Sequence, residues 1–128
     1  MRQSVRNAMT ASPHTLVKDA SAKLAMSMMQ NYRIRHIPVL EGGKLVGVVS
    51  DRDLKLALSL VSESGITVEN LMTPDPYVVG PEAPLDDVIA EMELKKYGCA
   101  VVQDSDGKVI GIFTVIDALR VLREKLKG

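Results

Sequence analysis

The stretch Gly47-Val48-Val49-Ser50-Asp51-Arg52-Asp53 decides the reading of this chain, because the chain states it again as Gly111-Ile112-Phe113-Thr114-Val115-Ile116-Asp117. Both read glycine, two apolar residues, a hydroxyl, two spacers and an aspartate. The apolar pair closes a strand, and the hydroxyl and aspartate stand three apart where a helical pattern opens. Ser or Thr at the N-cap with an acid at N3 is a capping box, so a helix N-terminus follows each strand. Such an end offers unpaired N–H groups and positive potential to an anion. A glycine without a side chain would let a ligand lie close against the strand. The same residues serve as caps with nothing bound, so spacing alone leaves both roles open.

Working outward from the motif, Met9-Thr10 recurs as Met72-Thr73 and Pro13 as Pro76, each 63 positions later, whereas the motif recurs after 64. The extra residue falls in a hairpin turn, where Glu41-Gly42-Gly43-Lys44 becomes Asp104-Ser105-Asp106-Gly107-Lys108. Turns absorb insertions and strands do not, so this is a structural duplication. Each copy opens on a short extended piece, Thr15-Leu16-Val17 or Tyr77-Val78-Val79, and runs into a helix near 20–31 or 83–95. Leu85, Val88, Ile89 and Met92 form the i, i+3, i+4, i+7 stripe of a core-facing helix, matched by Ala22, Ala25, Met26 and Met29. Met29 and Met92 read as core filler. Two apolar strands follow, 37–40 with 45–50 and 100–103 with 109–114, each pair joined through a glycine-containing turn. The capped helix, near 51–61 or 115–127, closes the copy. The expected architecture is therefore α/β (α+β), two β-α-β-β-α repeats at 1–65 and 66–128 joined by the linker Ser62-Glu63-Ser64-Gly65. A unit of about 60 residues buries little of its own surface. Two are expected to pack sheet to sheet about a pseudo-twofold axis as one compact module with two equivalent clefts.

Composition narrows the function. The chain is 46% hydrophobic and 25% charged, with 16 basic and 16 acidic residues, a balance suited to a globular protein and not to a nucleic-acid binder with a basic face. No apolar run approaches the roughly 18 residues of a membrane span, and Met1-Arg2-Gln3-Ser4-Val5-Arg6 lacks the apolar core of a secretion signal. A cytoplasmic protein is expected. The single cysteine, Cys99, excludes an internal disulfide and a cysteine-based zinc site, and its apolar surroundings suggest a buried, inert thiol. No nucleophile–base pair, metal cluster or paired carboxylate can be assembled, so neither enzyme activity nor a metal requirement is expected. The motif glycine is not a P-loop, which needs Gly-Lys-Ser/Thr.

With Met9-Thr10, Met72-Thr73, Arg35-His36-Ile37-Pro38-Val39 and the two G-h-h-[S/T]-x-x-D stretches in hand, the whole chain resembles a tandem pair of cystathionine β-synthase (CBS) domains, a Bateman module. In that family the last motif is the ribose-phosphate signature of adenine-nucleotide sites. The resemblance implies that Asp53 and Asp117 hold ribose hydroxyls while Ser50 and Thr114 hydrogen-bond phosphate. It implies that backbone near Thr15, Val17, Val78 and Val79, with the inner strands at Ile37 and Ala100, flanks adenine. Arg35 and His36 match a basic pair that reaches phosphate. These roles suit the chemistry, since a carboxylate accepts from two vicinal hydroxyls and phosphate suits both a guanidinium and a helix N-terminus. The implied function is a regulatory sensor of AMP, ADP or ATP that biases a dimer geometry read by an unidentified partner protein. A ligand-free dimerisation module and an S-adenosylmethionine-binding pair are the alternatives.

The copies differ in two respects. Arg33-Ile34-Arg35-His36 becomes Lys96-Tyr97-Gly98-Cys99, so the second cleft is expected to be empty or to take a less charged ligand. Leu24, Met28, Leu56 and Leu60 lie off the core stripes, where the second copy has Asp87, Glu91, Arg120 and Glu124. A helix apolar on both faces is buried on both. A homodimer weighted toward the helices of the first repeat is therefore expected.

Overall fold

The computed structural model describes residues 2–60 and 65–128; of the expected linker only Gly65 falls among them. Among the described residues, eight strands and five α-helices follow one another as β1 (Thr10–Ala11), β2 (Leu16–Val17), α1 (Ala22–Tyr32), β3 (His36–Glu41), β4 (Lys44–Ser50), α2 (Asp51–Leu60), α3 (Val68–Leu71), β5 (Thr73–Pro74), β6 (Val78–Val79), α4 (Leu85–Lys95), β7 (Cys99–Gln103), β8 (Val109–Thr114) and α5 (Val115–Leu126). They form two four-stranded sheets of the same design, β2-β3-β4-β5 and β6-β7-β8-β1. In each, the opening strand runs parallel to the next, a hairpin follows, and a two-residue outer strand adds antiparallel to the motif strand.

That outer strand comes from the wrong copy. Thr10–Ala11, ahead of the first repeat, pairs with β8 of the second, and Thr73–Pro74, ahead of the second repeat, pairs with β4 of the first. The compact units are consequently His14–Pro76 on one side and Met1–Pro13 with Tyr77–Gly128 on the other. Repeats of the sequence and units of the structure are different partitions of one chain.

Local rules explain the helices. Ser21 caps α1 by accepting from Leu24 N at 3.0 Å, and Arg33 ends it in the left-handed region at φ 55. Lys96, its counterpart, ends α4 in the same conformation at φ 61. The predicted helical stripe is borne out, with Leu85, Val88 and Met92 buried on α4 and Ala22, Ala25 and Met29 on α1. The core of each unit trades volume between facing layers, as close packing requires. Ile37 and Val49 on the inner strands of one become Ala100 and Phe113 in the other, while Ala22 and Ala25 become Leu85 and Val88. Cys99 is buried, and burial pushes its thiol up to about 12, which leaves it inert.

Two expectations about surface change. Met28, expected off the core stripe, is half-buried and packs against the core of the His14–Pro76 unit, as a long unbranched side chain can. Exposed apolar side chains are not confined to the first repeat: beside Leu24, Leu56 and Leu60, helix α5 exposes Val115, Ile116, Leu119, Leu122 and Leu126.

Candidate functional site

The motif glycine comes first, because the structure gives it a tenant. A Cβ on Gly47 would lie 2.6 Å from Met72 Sδ and 2.8 Å from the Thr73 carbonyl oxygen, and a Cβ on Gly111 would overlap the Met9 sulfur. The glycines admit the methionine that precedes each exchanged strand. The expected open strand surface for a ligand is therefore filled by protein, since the methionine just ahead of the neighbouring strand takes the space.

Beyond the glycine, each motif turns from strand into helix. Ser50 Oγ accepts from Asp53 N at 3.2 Å, and Thr114 Oγ1 accepts from Asp117 N at 3.4 Å. Only the second motif closes a full capping box, with Asp117 Oδ2 accepting from Thr114 N at 2.9 Å. Asp53 is half-buried, and its carboxylate accepts no hydrogen bond from any described residue. Asp117, 5% exposed, is the one buried charged residue among the described residues.

Strand register gathers the other expected residues of the first repeat. His36 pairs with Ser50 and Ile37 with Val49, and β2, flanked by Thr15 and carrying Val17, lies parallel to β3. Thr15 is half-buried and Val17 exposed, whereas the Ile37 side chain is fully buried, so only its backbone can line a cleft. Arg35 is exposed, and its guanidinium has no partner among the described residues. His36 keeps Nδ1 buried and without a hydrogen bond. Burial lowers its pKa, with Arg35 in the same direction and Asp51 and Asp53 opposing. In the other unit Ala100 is fully buried opposite Phe113, Thr114 pairs with Cys99, and Val78, partly exposed, pairs with Val101.

A second feature was not anticipated. In the His14–Pro76 unit, the C-terminal half of α1 and the first two turns of α2 border an open cleft of about 310 Å³, with Gln30, Arg33, Arg35, Asp51 and Lys55 at its walls. The equivalent cleft of the other unit, about 170 Å³, is lined by Ile89, Met92, Tyr97, Phe113, Val115 and Ala118 with Glu93. Asp51 and Lys55 form an ion pair at 3.6 Å, and their counterparts Val115 and Leu119 are apolar. Neither cleft includes Asp53 or Asp117: two residues along a helix is a rotation of about 200°, so the aspartates face away from the clefts. The pairwise change of Asp51 and Lys55 to Val115 and Leu119 was visible in the repeats and is the signal that could have found them.

Among the described residues no group of three or more His, Cys, Asp or Glu is placed to hold a metal ion, and no helix is long and apolar enough to cross a membrane.

The profile of the CBS domain matches residues 5–60 and 68–124. Inosine-5′-monophosphate dehydrogenase of Korarchaeum cryptofilum is 32% identical over 113 residues, which are 88% of this chain and 22% of that enzyme. The chain spans about 15–24% of the length of the first four curated relatives it matches. Among solved structures, CBSX2 of Arabidopsis thaliana in complex with AMP superposes with a TM-score of 0.80 at 32% identity, covering 94% of this chain and 96% of that one. The CBS domain pair of MJ0100, in complex with 5′-methylthioadenosine and S-adenosyl-L-methionine, superposes with a TM-score of 0.88 at 26% identity, covering 98% and 99%.

Proposed function

This chain belongs to the CBS domain family, and from that premise we propose that it is a regulatory module whose ligand is an adenine nucleotide, AMP, ADP or ATP. The observation that carries the reading is the Asp53 carboxylate, half-buried at N3 of α2 and accepting no hydrogen bond from any described residue. It holds the ribose diol. Ser50 and the N–H groups of the α2 N-terminus receive phosphate, and Arg35, whose carbonyl oxygen accepts from Asp51 N at that helix end and whose guanidinium has no partner among the described residues, reaches over from the wall of the adjacent cleft to add a charge-assisted contact. Backbone at Thr15, Val17 and Ile37 flanks adenine, and Val78, Ala100, Thr114 and Asp117 form the corresponding set in the other unit. No residue is assigned to catalysis. The module works as a homodimer, in which ligand biases one geometry by its differential affinity and a partner protein reads the result. AMP bound to CBSX2 supports the ligand class.

A second reading, S-adenosylmethionine in place of the nucleotide, is favoured by MJ0100, whose ligands carry a sulfur substituent where AMP carries phosphate. Titration calorimetry of wild type and Arg35→Ala against adenosine, AMP, ATP and S-adenosylmethionine tests both. The nucleotide reading expects Arg35→Ala to weaken ATP by about ten- to a hundredfold, the loss of one charge-assisted hydrogen bond, and adenosine hardly at all. Binding of S-adenosylmethionine alone establishes the second reading. Binding of no adenine compound at millimolar concentration leaves the ligand-free dimerisation module.

A further inference from the structure

Asp53 and Asp117 hold the same place in the duplicated motif and meet different surroundings. The Asp117 carboxylate is saturated. Its Oδ2 accepts from Thr114 N at 2.9 Å and Thr114 Oγ1 at 3.3 Å. Its Oδ1 accepts from Arg120 Nη1 at 2.9 Å and Thr10 Oγ1 at 3.2 Å. A carboxylate offers about four lone-pair positions, so none is left. The Asp117 side chain is 6% exposed. Arg120 is itself held, since its second amino group donates to the Ala8 carbonyl oxygen just ahead of β1.

One of the four donors, Arg120, has no counterpart in the sequence of the first motif. The exchanged strands are equivalent, with Thr10 opposite Ile112 and Thr73 opposite Val48, yet Thr73 makes no bond to Asp53. The residue one turn further along the helix differs: Arg120 on α5, Leu56 on α2. Leucine donates nothing, so the bond Arg120 makes has no equivalent at Asp53, whose carboxylate also accepts nothing from Ser50 or Thr73.

We propose that Arg120 is a built-in occupant of the second site. Arg120 and Thr10 together present to Asp117 the two donors that a ribose diol would bring. The chain then has one competent carboxylate, Asp53, and binds one adenine ligand per chain. The inference rests on the reading of both aspartates as ribose acceptors. A ligand entering at Asp117 must first displace a charge-assisted hydrogen bond and uncover a buried carboxylate, and Arg120 thus decides which half of the duplication is a sensor.

Stoichiometry tests it, by calorimetric titration of the full chain with AMP and separately with S-adenosylmethionine. Wild type should take up one equivalent per chain, lost in Asp53→Asn and kept in Asp117→Asn. Arg120→Leu, which installs what Leu56 already is, should take up a second equivalent, its Kd at Asp117 at least about tenfold tighter than in wild type. Arg120→Gln keeps a donor without the charge and should also admit the second equivalent, and far-UV circular dichroism checks that both variants fold. Two equivalents in wild type, or one in Arg120→Leu and Arg120→Gln, overturns the occupant while the nucleotide reading stands. Loss in Asp117→Asn with Asp53→Asn unaffected does the same. Binding to neither wild type nor the Arg120 variants overturns both.

Discussion

At the scale of the residue, His36 couples this fold to pH. Its Nδ1 is buried with no partner, and burial, ahead of the charges around it, lowers its pKa from the ordinary 6.5. Asp51 and Asp53 pull toward the charged form and Arg35 pushes against it, without reversing the outcome. In the unfolded chain the imidazole takes its proton near pH 6.5, and in the folded chain only at lower pH. Below about pH 6.5 the unfolded state therefore binds more protons, and stability falls as the solution is acidified. The urea midpoint should drop between about pH 7.5 and pH 5.5, and less so in His36→Gln. The carboxylate depressed by Arg2, Asp86, acts below its ordinary 3.8 and leaves this window untouched. Parallel midpoints in wild type and His36→Gln would refute the assignment. Ligand phosphate beside Arg35 would reverse part of the trend, because an anion there favours imidazolium.

At the scale of the element, glycine, methionine and exchanged strand act together. Gly111→Ala collides only with the flexible Met9 side chain, whereas Gly47→Ala also meets the Thr73 carbonyl oxygen at 2.8 Å. Each should cost about 1–3 kcal/mol as overpacking. Met9→Ala should recover much of the first loss and Met72→Ala little of the second, since backbone cannot withdraw; thermal denaturation of the four variants measures it. Equal recovery at both would mean the strands shift more freely than their hydrogen bonds imply. The longer elements were legible because each writes its period and its cap into neighbouring residues: Leu85, Val88 and Met92 announce α4, and Thr114 with Asp117 announces α5. Strands β1 and β5 were not, because two residues carry no alternation and their partners lie about a hundred and about twenty-five positions away. Helix α3, with four residues, is too short for a stripe. The same distance hid the state of the candidate site. Asp117 reads as a cap from Thr114, but Thr10 reaches it only through the fold, and Arg120 reads from the sequence only as the charged counterpart of Leu56, its bond to the Ala8 carbonyl oxygen arising from a residue more than a hundred positions away.

At the scale of the whole molecule, apolar helix faces await cover. Leu56 and Leu60 are 62% and 73% exposed on α2, and Leu119 and Leu122 are 54% and 52% exposed on α5. Covering them with a second copy is favourable by about 25 cal/mol per Å² of apolar area, which is the basis for the proposed homodimer. Sedimentation velocity at micromolar concentration should show a dimer, and the pairs Leu56→Glu with Leu60→Glu and Leu119→Glu with Leu122→Glu should each move it toward monomer. A wild type monomeric throughout would remove dimer geometry from the proposed mechanism. The crossed outer strands have a different consequence, which concerns how the chain can be taken apart. Cutting it anywhere in 61–66 would not release two finished CBS repeats. The N-terminal piece would carry off the strand that completes β8, and the C-terminal piece the strand that completes β4. Each fragment would present a bare sheet edge that only the other is cut to fit. Severed halves of this protein are thus expected to complement one another when mixed, and a repeat expressed alone is a sheet in search of its missing hem.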